Sequence, residues 1–149
     1  MKEYTLIYPL FSPIQLLDGN GKLVGEILLS IIASFNEQIK IDNKIFKIKY
    51  NSLFSKDYKI FDQNENLVFK SDISKNRFIY FGNEIEIFIY RNNGWFNNRL
   101  NLYKTNELII SVKSKGLFNN KYKIEVNNNF DNRLVTLAFL YDYISSQGS

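Results

Sequence analysis

Asp131-Asn132-Arg133-Leu134-Val135-Thr136-Leu137-Ala138-Phe139-Leu140-Tyr141-Asp142-Tyr143-Ile144 decides the fold. Leu134, Leu137, Ala138, Tyr141 and Ile144 recur at the spacing of one helical face, while Val135, Phe139 and Leu140 make its flanks apolar too. The run is too short for a bilayer, which takes about 20 apolar residues, so protein must wrap it. Asp131 is expected to cap the first turn, Phe130 to pack on Val135 as a staple, and Ser145 to Ser149 to form a frayed polar tail. At about 1.5 Å per residue the helix is roughly 21 Å long, close to a six-residue strand. Burying its large side chains is worth about 10 to 20 kcal/mol gross, against a typical net stability of about 5 to 15 kcal/mol. Truncation at Asp131 is therefore expected to unfold the domain.

Upstream, short apolar runs alternate with polar turns. Tyr4 to Tyr8 suits a strand, with Pro9 and Pro13 after it where no ladder is required. Asp18-Gly19-Asn20-Gly21 is a turn, and Lys22 to Phe35 reads as a strand with a break near Ser34, although its apolar spacing also fits a helix. Glu37 to Ile41 and Ile45 to Tyr50 flank Asp42-Asn43; Tyr58 to Phe61 and Asn66 to Lys70 flank 62–65. Arg77 to Phe81 and Ile85 to Tyr90 flank Gly82-Asn83; Arg99 to Lys104 and Leu108 to Lys113 flank Thr105-Asn106; Lys121 to Val126 is the last strand. Successive hairpins mean an antiparallel meander.

Two internal echoes support a closed, repetitive sheet. Ile45-Phe46-Lys47-Ile48-Lys49, Leu53-Phe54 and Tyr58-Lys59-Ile60 recur 64 positions later as Ile109-Ile110-Ser111-Val112-Lys113, Leu117-Phe118 and Tyr122-Lys123-Ile124. Leu17-Asp18-x-Asn20-x-x-Leu23-Val24 is echoed by Phe61-Asp62-x-Asn64-x-x-Leu67-Val68.

Asp18-x-x-Gly21-x-x-Val24-Gly25, repeats such as Tyr58-Lys59-Ile60-Phe61-Asp62, and the terminal Leu134 to Tyr141 run stand in an order that resembles the tubby C-terminal-like superfamily, which includes the phospholipid scramblases and LURP-one-related proteins. The resemblance spans nearly the whole chain. It implies one domain over residues 1–149: a mainly β, closed antiparallel barrel of about twelve strands around a central hydrophobic C-terminal helix. It does not imply one activity, since tubby domains bind phosphoinositides while many LURP-one relatives have no assigned biochemistry. Lipid translocation is not expected, because the chain shows no cysteine-rich palmitoylation segment or added membrane anchor.

The composition removes most catalytic kits. There is no cysteine and no histidine, hence no thiolate, no disulfide and neither of the usual general bases and metal ligands. No enzyme activity, cofactor or metal is expected. Asp18-Gly19-Asn20-Gly21 lacks the spaced carboxylates of a calcium loop, and Gly19-x-Gly21-x-x-x-Gly25 misses the dinucleotide fingerprint by one residue. Glu84 and Glu86 are expected on an outward face beside Ile85 and Ile87, as solvated charge. Met1-Lys2-Glu3-Tyr4 opens no signal peptide, so a cytoplasmic protein, peripheral to membrane at most, is expected.

Charge is the functional clue. Seven basic residues between Arg91 and Lys123 (Arg91, Arg99, Lys104, Lys113, Lys115, Lys121, Lys123) face one acid, Glu107, so this segment is +6 in a chain of net +4. With Ile110, Val112, Tyr122 and Ile124 inward, Lys113, Lys115, Lys121 and Lys123 share one outer hairpin surface. Such a surface suits anionic phospholipid headgroups or a membrane, and also nucleic acid; as a plain barrel exterior, its lysines would discourage sheet aggregation. Trp95 and Phe96, between Arg91 and Arg99, could dip into a bilayer interface, stack on a base, or cover a barrel end. A non-catalytic binding module for anionic lipid is expected; the alternatives are nucleic-acid binding and a protein-interaction or structural domain.

Overall fold

The computed structural model describes residues 1–9, 13–29, 37–52, 54–92, 99–115 and 121–147. Its strands are β1 (Lys2–Ile7), β2 (Ile14–Leu17), β3 (Leu23–Leu28), β4 (Gln38–Ile41), β5 (Lys44–Tyr50), β6 (Tyr58–Phe61), β7 (Leu67–Asp72), β8 (Arg77–Phe81), β9 (Ile85–Asn92), β10 (Arg99–Lys104), β11 (Glu107–Lys115) and β12 (Lys121–Val126), followed by helix α1 (Arg133–Gln147). The twelve strands form one closed barrel in which each pairs antiparallel with its sequence neighbours and β1 closes on β12. Closure leaves no open sheet edge.

The helix fills the barrel. Val135, Leu137, Ala138, Phe139, Leu140 and Tyr141 are fully buried against inward residues of the wall, among them Leu6, Leu16, Ile27, Ile39, Ile60, Phe69, Phe78, Phe88, Leu102 and Ile124. Apolar flanks on all sides are what a helix ringed by strands requires.

The sequence echoes are structural. Ile48 pairs with Ile60 just as Val112 pairs with Ile124, 64 positions on. Asp18 Oδ1 accepts the amides of Asn20 and Lys22 at 2.9 Å each, and Asp62 Oδ1 those of Asn64 and Asn66 at the same distance. Each turn adjoins the same bulge, at Leu16/Leu17 and at Ile60/Phe61.

Four expectations change. Asn132, not Asp131, caps the helix, its Oδ1 accepting the Val135 amide at 3.0 Å. Phe130 packs edge-on against Phe88. The tail is helical through Gln147, with Ser146 Oγ donating to the Tyr143 carbonyl at 2.8 Å. Residues 14–17, given no element from the sequence, form a strand, and the strand expected from Lys22 covers Leu23–Leu28, its remainder beyond residue 29 lying outside the described residues.

Candidate functional site: the β5–β6 hairpin and its lysine row

Of the basic residues singled out by sequence, Lys113, Lys115, Lys121 and Lys123 lie on the paired strands β11 and β12, and Arg91, Arg99 and Lys104 on the adjoining β9 and β10. Lys113, Lys121 and Lys123 lie exposed on β11 and β12, as alternation requires, but carboxylates are interleaved: Lys113 stands 3.8 Å from Glu125 and Lys123 3.9 Å from Glu3. Lys104 pairs with Glu86 at 2.6 Å. The Arg91 guanidinium lies over the Tyr103 ring, 4.5 Å from its centroid. Arg99 and Lys115 are on β10 and β11, with side chains outside the described set, and Trp95 and Phe96 lie outside the described residues.

A second basic face, not anticipated, lies on the outer wall of β5, β6 and β7. Inward placement of Ile48, Tyr58, Ile60, Phe69 and Ser71 turns Lys47, Lys49, Lys59 and Lys70 outward. Register makes Lys49 the direct partner of Lys59, and Lys59 the direct partner of Lys70. With strands about 4.8 Å apart, the three lysines leave the wall along a line roughly 10 Å long. Like charges directly opposite destabilise a sheet, yet none of these lysines forms an ion pair among the described residues. Instead Lys49 lies over the Phe61 ring and Lys70 over Phe81, at 5.4 and 5.8 Å.

The connection between β5 and β6 carries Phe54, 96% exposed, and Lys56, also exposed. Its one acid is turned away: Asp57 Oδ1 accepts from Ser71 Oγ at 3.0 Å and from the Ile73 amide at 2.9 Å. The signal was present in the sequence, since residues 44–59 hold five lysines and one acid. Acidic residues elsewhere hid it from a segment-wide count.

Inside the barrel the same hairpin is tied to the helix. Tyr50 and Tyr58 are cross-strand partners. Tyr141 donates to the Glu37 carboxylate, so its oxygen is left to accept from Tyr50, while Tyr58 donates to Asp142 Oδ1 at 3.2 Å. Burial raises the Glu37 carboxyl above its ordinary range, against the opposing effect of the Tyr141 bond. Burial likewise lifts all three phenols, and for Tyr58 the charge of Asp142 adds to it. These phenols stay neutral and act as hydrogen-bond ties.

An open cleft of about 360 Å³ lies at the helix N-terminus, lined by Asp42, Lys44, Tyr80, Asp131, Asn132 and Arg133 among others. Arg133 pairs with Asp42 there at 2.9 Å and depresses its carboxyl. Acids and bases offset one another, which suits it poorly to a charged ligand. Glu84 and Glu86 make no catalytic pair. Glu86 is on the helix-facing side with Phe88 and Tyr90, and Ile85, Ile87 and Ile89 face outward, because the larger aromatics occupy the interior. Among the described residues no cluster of potential ligands could hold a metal, and no helix is long and apolar enough to cross a membrane.

No family model and no curated protein matches the chain. Its fold is similar to that of an X-ray structure of a protein from Arabidopsis thaliana, with a TM-score of 0.56 over 97% of this chain and 91% of the other at 10% identity. That likeness supports the barrel architecture and no activity.

Proposed function

We propose that the chain is a non-catalytic module that docks on an anionic membrane surface through the β5–β6 hairpin and the adjoining β7, and that it belongs with the tubby C-terminal-like proteins its motif order resembles. The observation that carries this reading is Phe54, 96% exposed at a connection flanked by lysines that have no carboxylate opposite them among the described residues. An aromatic ring that enters the headgroup boundary while lysines meet anionic lipid is the chemistry of a peripheral anchor. Each lysine near such a surface contributes about 1 kcal/mol. Opposed lysines that repel one another in solution are relieved when phosphates come between them, so part of their cost is recovered on binding. Rigid ties from Tyr50 and Tyr58 to the helix hold the hairpin in place without further ordering.

Sedimentation with phosphatidylcholine vesicles, alone or mixed with phosphatidylserine or a phosphoinositide, tests the proposal across salt. Binding to the anionic vesicles that weakens with salt, and is lost on joint Lys49→Glu, Lys59→Glu and Lys70→Glu substitution, is expected. Phe54→Ser should weaken binding while leaving its salt slope in place. The reading fails if anionic vesicles are ignored at low salt, or if the triple variant binds as well as the parent. A matched Lys113→Glu, Lys121→Glu, Lys123→Glu variant reports whether the β11–β12 face is used instead.

A further inference from the structure

Where the lysine row ends, at Lys70 paired with Ile79, the outer wall turns apolar. Ile85, Ile87 and Ile89 of β9 are 67%, 44% and 44% exposed. Their partners on β8 are Phe81, Ile79 and Arg77, so two more hydrophobic side chains widen the stripe. Nothing in the core requires isoleucine at these positions. Aliphatic side chains placed outward in a row are a feature of sheet faces that pack against another element.

We infer that this stripe is the docking surface for an acidic amphipathic helix of a partner protein. Addition of a strand is closed off, because both sides of every strand are already paired in the barrel. A side-chain face remains. Four strand rises place Ile85 and Ile89 roughly 13 Å apart, and helix positions i, i+4 and i+8 span about 12 Å, so three apolar residues of one helix face meet three isoleucines.

Charge selects the occupant. The cation at the Ile89 end is exposed Arg91, two residues on and without an ion pair among the described residues, since Arg77 beside Ile89 is already paired with Asp72 at 2.9 Å. At the other end stands exposed Glu84, without an ion pair among the described residues. A helix running parallel to β9 sets its positive N-terminal end by Glu84 and its negative C-terminal end by Arg91, and acidic side chains in its last turns meet that guanidinium. A second copy of this chain, itself net +4, lacks that complementarity. A bilayer would have to accept Glu84 next to Ile85, the most exposed isoleucine of the three.

The test uses isoleucine-methyl-labelled full chain and a synthetic helix of about fourteen residues with leucines at i, i+4 and i+8 and glutamates in its last turns, beside a counterpart with lysines in their place. The expected result is shifts confined to the methyls of Ile79, Ile85, Ile87 and Ile89, with about tenfold tighter binding of the glutamate peptide. Arg91→Glu should erase that preference, and the uncharged substitution Ile87→Ser should abolish peptide binding while leaving vesicle sedimentation unchanged. Silent methyls at millimolar peptide overturn the inference, as does equal binding of both peptides. Methyl shifts on concentrating the free protein would assign the stripe to a second copy, and shifts with phosphatidylserine vesicles would assign it to the membrane; either result overturns it. Because the peptide titration is read on the parent protein, a misfolded variant does not blunt it.

Discussion

Gly25 of β3 lies directly beneath Leu137 of the central helix: a β-carbon at position 25 would stand 2.3 Å from Leu137 Cδ1 and 3.1 Å from the Lys40 carbonyl oxygen. The barrel and its helix meet at van der Waals distance there, and the missing side chain makes the approach possible. Gly25→Ala is expected to destabilise the fold by about 1 to 3 kcal/mol through overpacking, measured by urea denaturation. Leu137→Ala on its own opens a cavity and is also costly. Combined, the two changes should cost less than their sum, because the alanine at 25 occupies space that Leu137 vacates. Strict additivity would show that the contact does not limit packing.

Glu37 gives the fold a pH dependence of defined sign. Its carboxyl is raised in the folded state, chiefly by burial beside Tyr141 and Tyr50. A raised folded value means the native state holds the proton that the unfolded chain releases, so this contribution is complete below the ordinary glutamate range and is lost as pH rises through the folded value. Asp42, Asp62 and Asp72, all depressed, act in the opposite sense, losing stability as pH falls. Comparing the parent with Glu37→Gln isolates the first effect. The stability difference, variant minus parent, should grow as pH rises from 4 towards neutrality; a difference independent of pH would remove Glu37 from the account.

Which residue caps the helix is separable by paired substitutions. Asn132 accepts the Val135 amide, and its backbone carbonyl receives both the amide and the hydroxyl of Thr136. Asn132→Ala should cost about 1 kcal/mol. Asp131→Ala, one residue outside the cap, should cost a few tenths at most. Equal losses in thermal unfolding would return the cap to Asp131.

Local chemistry made most of the architecture legible. Turn formers such as Asp42 and Asn106, both with positive φ, punctuate the chain where hairpins reverse, and the bounds of β6, β8, β10 and β12 follow directly from the apolar runs. Strand β2 escaped because it is four residues long, follows Pro13 and carries a bulge at Leu16/Leu17 that breaks its alternation. The cap expected at Asp131 falls one residue on because Asn132 is as good a capping residue, and only the wall decides where the helix enters. On β9 both phases of the alternation are apolar, Ile85-Ile87-Ile89 against Phe88-Tyr90, so period alone does not say which faces in. Volume decides: the aromatics fill the interior. The lysine excess of residues 44–59 was readable in the sequence, but the row was not, because only register makes Lys49, Lys59 and Lys70 neighbours.

Asp57 tests how the hairpin is held. Its carboxylate serves a backbone amide and a hydroxyl on the far side of β7 rather than any lysine, although five lysines lie within residues 44–59. Asp57→Ala leaves the half-buried Ile73 amide without that acceptor, for an expected loss of about 1 to 3 kcal/mol. Vesicle binding responds to two opposed changes, since the hairpin loses a negative charge and also an anchor. Loss of charge acts at long range and is screened by salt, whereas loss of the anchor is not. Relative to the parent, the Asp57→Ala variant should therefore bind anionic vesicles better at low salt and worse at high salt, a crossing of the two curves in sedimentation. Parallel curves would show that Asp57 contributes charge alone and that the hairpin is held by its tyrosines.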